Sequence, residues 1–383
     1  MKLFNGNRLK SARQYRGLTV EELAQKINVS KQTVSQYETG KIENVPFDRI
    51  LSISNVLNFP YKYFAQENRL ELRPGATYFR SLMKTSKKYR LAQEVKMEHI
   101  AVIYSFLNEY VTFPELNLPD LSGEALSPTE VAKALREYWK LGDKPIDNLM
   151  RTVEQNGIIV TTFATDTDDI DAFSQYVDVN GTEVYLIALS SNKESASRIN
   201  FDIAHELGHI LLHEWSEDEE VLSREEFKAK EKEANAFAAA FLMPETSFAT
   251  EVALEPQNLD YYKQIKRKWK VSIAAMLYRS CDLGIITQSQ YQYMMRIMQN
   301  KGWRKSEPLD NTMRAAKPTL FSDAVDILLD NKVFTPKEFV DELSEMGLAM
   351  NPSELEVLLN LSRGTLSVQN TEPVKMVMLK SKE

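Results

Sequence analysis

"AHELGHILLH", Ala204–His213, places three of the chain's four histidines within nine residues. His205 and His209 are four apart. On a helix that spacing puts both imidazoles on one face, about one turn apart, so both reach one small ion. Glu206 lies beside that ion without ligating it. The pattern is H-E-x-x-H, two Zn²⁺ ligands and a general base. A catalytic zinc takes three protein ligands and keeps the fourth position for water. The ion lowers that water's pKa and polarises a carbonyl, while Glu206 takes the water's proton and returns it to the leaving amine. Ile203, Leu207, Ile210 and Leu211 give the helix an apolar side. Gly208 costs about 1 kcal/mol against Ala inside a helix, so it has a reason to be there: room beside the site. His213 continues the series but stands about 12 Å along the helix from His205. It is expected to have a structural role at the helix end.

The third ligand must be a carboxylate or the distant His99. The candidate stretch is "EKEANAFAAAFLMP", Glu231–Pro244. Ala234, Phe237, Ala238, Phe241 and Leu242 form an inward stripe at helical spacing. On a helical wheel Glu231 lies about 50° from the centre of that stripe and Glu233 about 110°. Glu231 is therefore the better inward carboxylate. Asn235, one turn on, is placed to hold a ligand from behind.

Outward from this core, the chain has 383 residues, a net charge of −7, 43% hydrophobic residues and one cysteine, Cys281. That length predicts two or three domains, and the apolar content excludes global disorder. A single cysteine excludes an internal disulfide and fits a reducing compartment. The N-terminal residues show no apolar leader and no stretch approaches the roughly 20 residues a membrane span needs. The expectation is a cytoplasmic protein with no membrane partner. Residues 1–66 carry ten Lys and Arg against five Asp and Glu, so +5, which leaves −12 for the rest. A basic end on an acidic body points to a polyanion partner there.

Residues 1–66 read as helical. Thr19 and Glu22 make a capping box, Ser30 caps the next helix, and Gly40 ends it. A helix, a short turn and a second helix match helix-turn-helix. Residues 67–125 read as a connector, rich in Pro and Gly at its ends, with a basic run at Lys84, Lys87, Lys88 and Arg90. Beyond it, "SPTEVAKALREYWKL" predicts a helix capped by Ser127, and "PIDNLMRTVEQNG" a second that stops at Gly157. "IIVTTF" and "VYLIAL" read as strands. The latter, Val184–Leu189, is expected to offer an edge on which an extended peptide adds. Helices are expected at about 197–214 and 228–242, joined by an acidic stretch, and from about residue 256 to a polar tail.

"RINFDIAHELGHILLH" followed by "EKEANAFAAAFLMP" closely resembles the ImmA/IrrE family of metallopeptidases, a gluzincin-like group. "LGDKPIDNLMRTVEQNGIIV" and "KWKVSIAAMLYRSCDLGII" look like its flanking segments, and the resemblance covers roughly residues 70–380. It implies zinc ligands His205, His209 and Glu231, with Glu206 as base, and a substrate that is a regulatory, repressor-type protein. "LTVEELAQKINVSKQTVSQYETGK" is similar to the lambda-repressor-like, XRE-type family, over about residues 4–66. That resemblance implies that Lys31, Gln32, Ser35 and Gln36 face base edges of double-stranded DNA. Gln pairs bidentately with adenine and Lys with guanine. One such unit reads a half-site, so specific binding requires a homodimer.

The expected fold is mainly α with a small β-sheet, an α+β class. Its parts are a five-helix DNA-binding domain at 1–66, a connector at 67–125, a zincin-like metallopeptidase domain at 126–255 and a helical C-terminal domain at 256–383. The expected function is a DNA-binding regulator with a zinc endopeptidase. The alternative is a non-catalytic transcription factor whose metal site is structural or sensory. A structural zinc usually closes with a fourth protein ligand and has no need of Glu206.

Overall fold

The computed structural model describes residues 4–67, 73–78, 87–121, 123, 125–163, 172–179, 181–192, 195–213 and 223–367. Lys84, most of the acidic stretch before residue 223 and the polar tail lie outside these.

The N-terminal unit contains α1 (Gly6–Tyr15), α2 (Val20–Lys26), α3 (Lys31–Glu38), α4 (Phe47–Leu57) and a short 3-10 helix (Tyr61–Ala65). These are the five expected helical pieces. The Thr19–Glu22 capping box forms, Ser30 caps α3, and Gly40 follows α3 with φ of +71°. Between α2 and α3, Asn28 takes a left-handed φ of 60°, a conformation Asn tolerates better than most residues. Then follow β1 (Arg73–Tyr78), α5 (Lys87–Leu107), α6 (Pro128–Tyr138) and α7 (Leu149–Gln155). Three more strands are β2 (Ile159–Phe163), β3 (Ala172–Val179) and β4 (Thr182–Ser190). The chain continues through α8 (Ala196–Leu212), α9 (Arg224–Leu242), α10 (Glu245–Val252), α11 (Leu259–Trp269), α12 (Ile273–Asp282) and α13 (Gln288–Asn300). It closes with α14 (Leu320–Asp330), α15 (Pro336–Glu345) and α16 (Pro352–Leu358). The fold is mainly α with one small mixed sheet, an α+β class.

The sheet order is β1-β3-β4-β2, with β1–β3 and β3–β4 antiparallel and β2–β4 parallel. Strand alternation divides its side chains between two cores. Val184, Leu186 and Ala188 of β4 face a core shared by the N-terminal unit, α5 and α14–α16. Ile187 and Leu189 face a second core, built from α6–α13. The β4 segment lies between β3 and β2, which corrects the expectation that it offers an edge. β3 was hidden in the sequence, because polar Ser174 and Gln175 occupy buried positions and break the apolar alternation.

α14–α16 return to the N-terminal unit. Arg8 donates to the carbonyl of Gly347 at 2.7 Å, Gln66 to the carbonyl of Ser344 at 2.5 Å, and Arg16 pairs with Glu354 at 3.1 Å.

Gly157 ends α7 with φ of +81°, and a Cβ there would stand 2.4 Å from the Glu115 carbonyl oxygen. A left-handed L-residue costs about 1–2 kcal/mol, and overpacking adds roughly 1–3. Gly157→Ala is expected to lower stability by about 2–4 kcal/mol in urea unfolding. An unchanged midpoint would show that the 115–117 segment yields freely.

Candidate metal centre

α8 carries the histidines because it is buried on nearly all sides. His205 and Glu206 are fully buried and His209 nearly so. Gly208 lets α9 come close: a Cβ at 208 would stand 3.0 Å from the Ala234 Cα and 3.1 Å from the Phe237 ring. α9 begins with a Ser223–Glu226 capping box, a turn earlier than expected, and its inward stripe packs in the second core. That packing carries Glu231 to α8.

Among the described residues, His205, His209 and Glu231 form a group whose donor atoms all lie within 4.8 Å of one another. The His209 Nε2 is 3.0 Å from the His205 Nε2 and 3.2 Å from the Glu231 Oε1, and the His205 Nε2 is 3.6 Å from that oxygen. Acceptor atoms this close repel unless a proton or cation sits among them. The separations fit a tetrahedral zinc, whose bonds of roughly 2.0–2.2 Å give edges of about 3.3–3.5 Å. The residues therefore suit the group. Burial alone would raise the Glu231 carboxyl; with no metal bound, protons on His205 and His209 supply hydrogen bonds and charge that bring it down to about 2, the place a cation would take. His99, the other third-ligand candidate, lies on α5, buried beside the Tyr63 hydroxyl at 3.2 Å.

Two features of the site were not foreseen. Ser174 of β3 donates to the Glu206 Oε2 at 2.6 Å. His213 lies 2.9 Å from the His209 Nδ1 through its own Nδ1, and its Nε2 lies 3.2 Å from the Glu233 Oε2. Burial and the adjacent His209 hold His213 down to about 4, against the pull of Glu233, so the ring is neutral at pH 7. A carboxylate only accepts, so the His213 Nε2 carries the proton and its Nδ1 accepts. The His209 Nδ1 then donates, which leaves its Nε2 lone pair facing His205 and Glu231. Asn235 donates to the main-chain carbonyl of Glu231 at 2.6 Å; that bond braces the helix turn beneath Glu231.

In the N-terminal unit Val34 and Tyr37 turn α3 into the core, while Lys31, Gln32 and Ser35 are exposed and Gln36 is half-buried. A buried bidentate pair, Arg13 with Glu38, fixes the end of α3 against α1. The four residues expected at base edges thus share the outer side of one rigidly held helix.

Residues 153–280 match the family model of the IrrE N-terminal-like domain, Peptidase_M78, and residues 9–64 match a helix-turn-helix family model. No curated protein matches the chain. The chain joins an XRE-like helix-turn-helix unit of the kind found in DNA-binding regulators to a domain of a metallopeptidase family.

Proposed function

We propose that this pairing makes the chain a DNA-binding regulator whose zinc endopeptidase cuts a regulatory protein, a repressor-type protein being the substrate class. The observation that carries the reading is the convergence of His205, His209 and Glu231 beside a fully buried Glu206. His205, His209 and Glu231 would hold the ion, which when bound supplies Lewis acidity and a water acidic near pH 7. Glu206 is placed to take a water's proton and deliver it to the leaving nitrogen. Ser174 orients the Glu206 carboxylate. Removing a repressor changes transcription, and the N-terminal unit supplies an operator address. A single unit reads a half-site, so the operator-bound form is a homodimer in the cytoplasm. No helix among the described residues is long and apolar enough to cross a membrane.

Proteomics on cells carrying the wild type or Glu206→Gln tests the peptidase. The expected result is a cleavage product found only with the wild type; identical protein fragments in both would overturn it. For DNA, Gln32→Ala is expected to weaken a selected operator about tenfold while leaving random duplex nearly unchanged, since one base contact is worth roughly 1–3 kcal/mol. Equal losses on both duplexes would place Gln32 on the phosphate backbone.

A further inference from the structure

We infer that the chain is its own substrate: β1 lies where an extended peptide must lie to be cut by Glu206, and the scissile bond is an amide bond of Tyr78. This rests on the metallopeptidase reading above.

Three observations converge on β1. The first is which strand touches the base. Ser174, whose hydroxyl holds Glu206 at 2.6 Å, belongs to β3. One side of β3 is taken by β4, so an added strand can reach it only from the other side, and β1 occupies that side. Peptides recognised by strand addition bind in this way, through main-chain hydrogen bonds to a sheet edge.

The second is the register. β1 runs antiparallel to β3, with Thr77 opposite Gln175 and Tyr78 opposite Ser174. Facing residues of an antiparallel pair have Cα atoms about 4.5–5.5 Å apart. The backbone of Tyr78 is thereby aligned with Ser174, which hydrogen-bonds the base.

The third is the place of β1 in the chain. It lies after the helix-turn-helix match at 9–64 and before the peptidase match at 153–280. A cut at Tyr78 breaks the covalent link between the helix-turn-helix match and the peptidase match. β1 is short, contains Pro74, and its register shifts between Pro74 and Thr77. Proline removes a ladder donor and is tolerated on edge strands, so this pairing is weak enough to be exchanged.

The reaction is hydrolysis and needs no co-reactant besides water. The water oxygen bonds to the carbonyl carbon, the C–N bond breaks, and the water's proton passes through Glu206 to the nitrogen. One new carboxylate and one new amine result.

The full chain, freed of metal with a chelator and then given zinc, tests this by intact mass and N-terminal sequencing. The expected result is a zinc-dependent cut at Tyr78, at a first-order rate that does not change with protein concentration. Glu206→Gln remains whole. Replacing residues 74–78 with a Gly/Ser segment of equal length is expected to slow the cut at least tenfold, while zinc still binds in one equivalent, because β1 holds none of the ligands. A rate that rises with concentration would overturn cutting within one chain, and a cut that persists in Glu206→Gln would overturn the site assignment. If the zinc-loaded chain stays whole yet yields the Glu206-dependent product in the cellular comparison, the self-substrate falls and the peptidase stands. If neither appears, both fall.

Discussion

Glu206→Gln is expected to bind one zinc as tightly as the wild type and to lose about 10²–10⁴-fold in hydrolysis rate, the usual contribution of a positioned general base. The two parts of this result belong together. Glu206 is fully buried on α8 next to His205, yet the group that converges on a cation is His205, His209 and Glu231. Glutamine is isosteric and still accepts from Ser174, whose hydroxyl lies 2.6 Å from the carboxylate. The fold and the metal therefore survive, and only proton transfer is lost. Competition with a zinc chromophore reads affinity, and fragment release from the identified substrate reads rate. A variant that loses zinc as well would show that Glu206 is a ligand.

His213→Leu is expected to weaken zinc binding 10–100-fold, the range typical when a partner behind a metal ligand is removed. His213 is neutral and buried, and it passes the acceptor character of Glu233 on to the His209 Nδ1 through contacts of 3.2 and 2.9 Å. That chain fixes the tautomer in which the His209 Nε2 faces His205 and Glu231. Leucine fills space but accepts nothing, so the His209 ring is free to take the wrong tautomer. His213→Gln offers an amide oxygen to the same N–H and should recover most of the affinity. Equal affinities for the leucine and glutamine variants, both near wild type, would reduce His213 to a packing residue.

Local chemistry was legible in the sequence. The i, i+4 histidines, the apolar side of α8 and the stripe on α9 depend on helical periodicity alone, and the capping box at Thr19 and the cap at Ser127 on residues within one turn. What was not legible depends on partners far along the chain. Ser174 looks like an interruption in a strand until β3 is laid against α8. Glu233 points away from its own helix's stripe, and a wheel drawn for α9 cannot show that the end of α8 is there to meet it. β1 reads as linker because Pro74 and Gly75 are turn residues, and its pairing is set by β3, about 100 residues on. The docking of α15–α16 on α1 joins residues more than 300 apart, Arg8 with Gly347 and Arg16 with Glu354, and leaves no local signal at either end.

Diffraction at the zinc absorption edge, from crystals of the full chain grown with one equivalent of zinc, bears most directly on the central claim. The account predicts one anomalous peak, bonded at about 2.0–2.2 Å to the Nε2 atoms of His205 and His209 and to the Glu231 carboxylate, with Glu206 unbonded beside it. A peak on His213 and Glu233 instead, or none between the three side chains at full zinc loading, would contradict it.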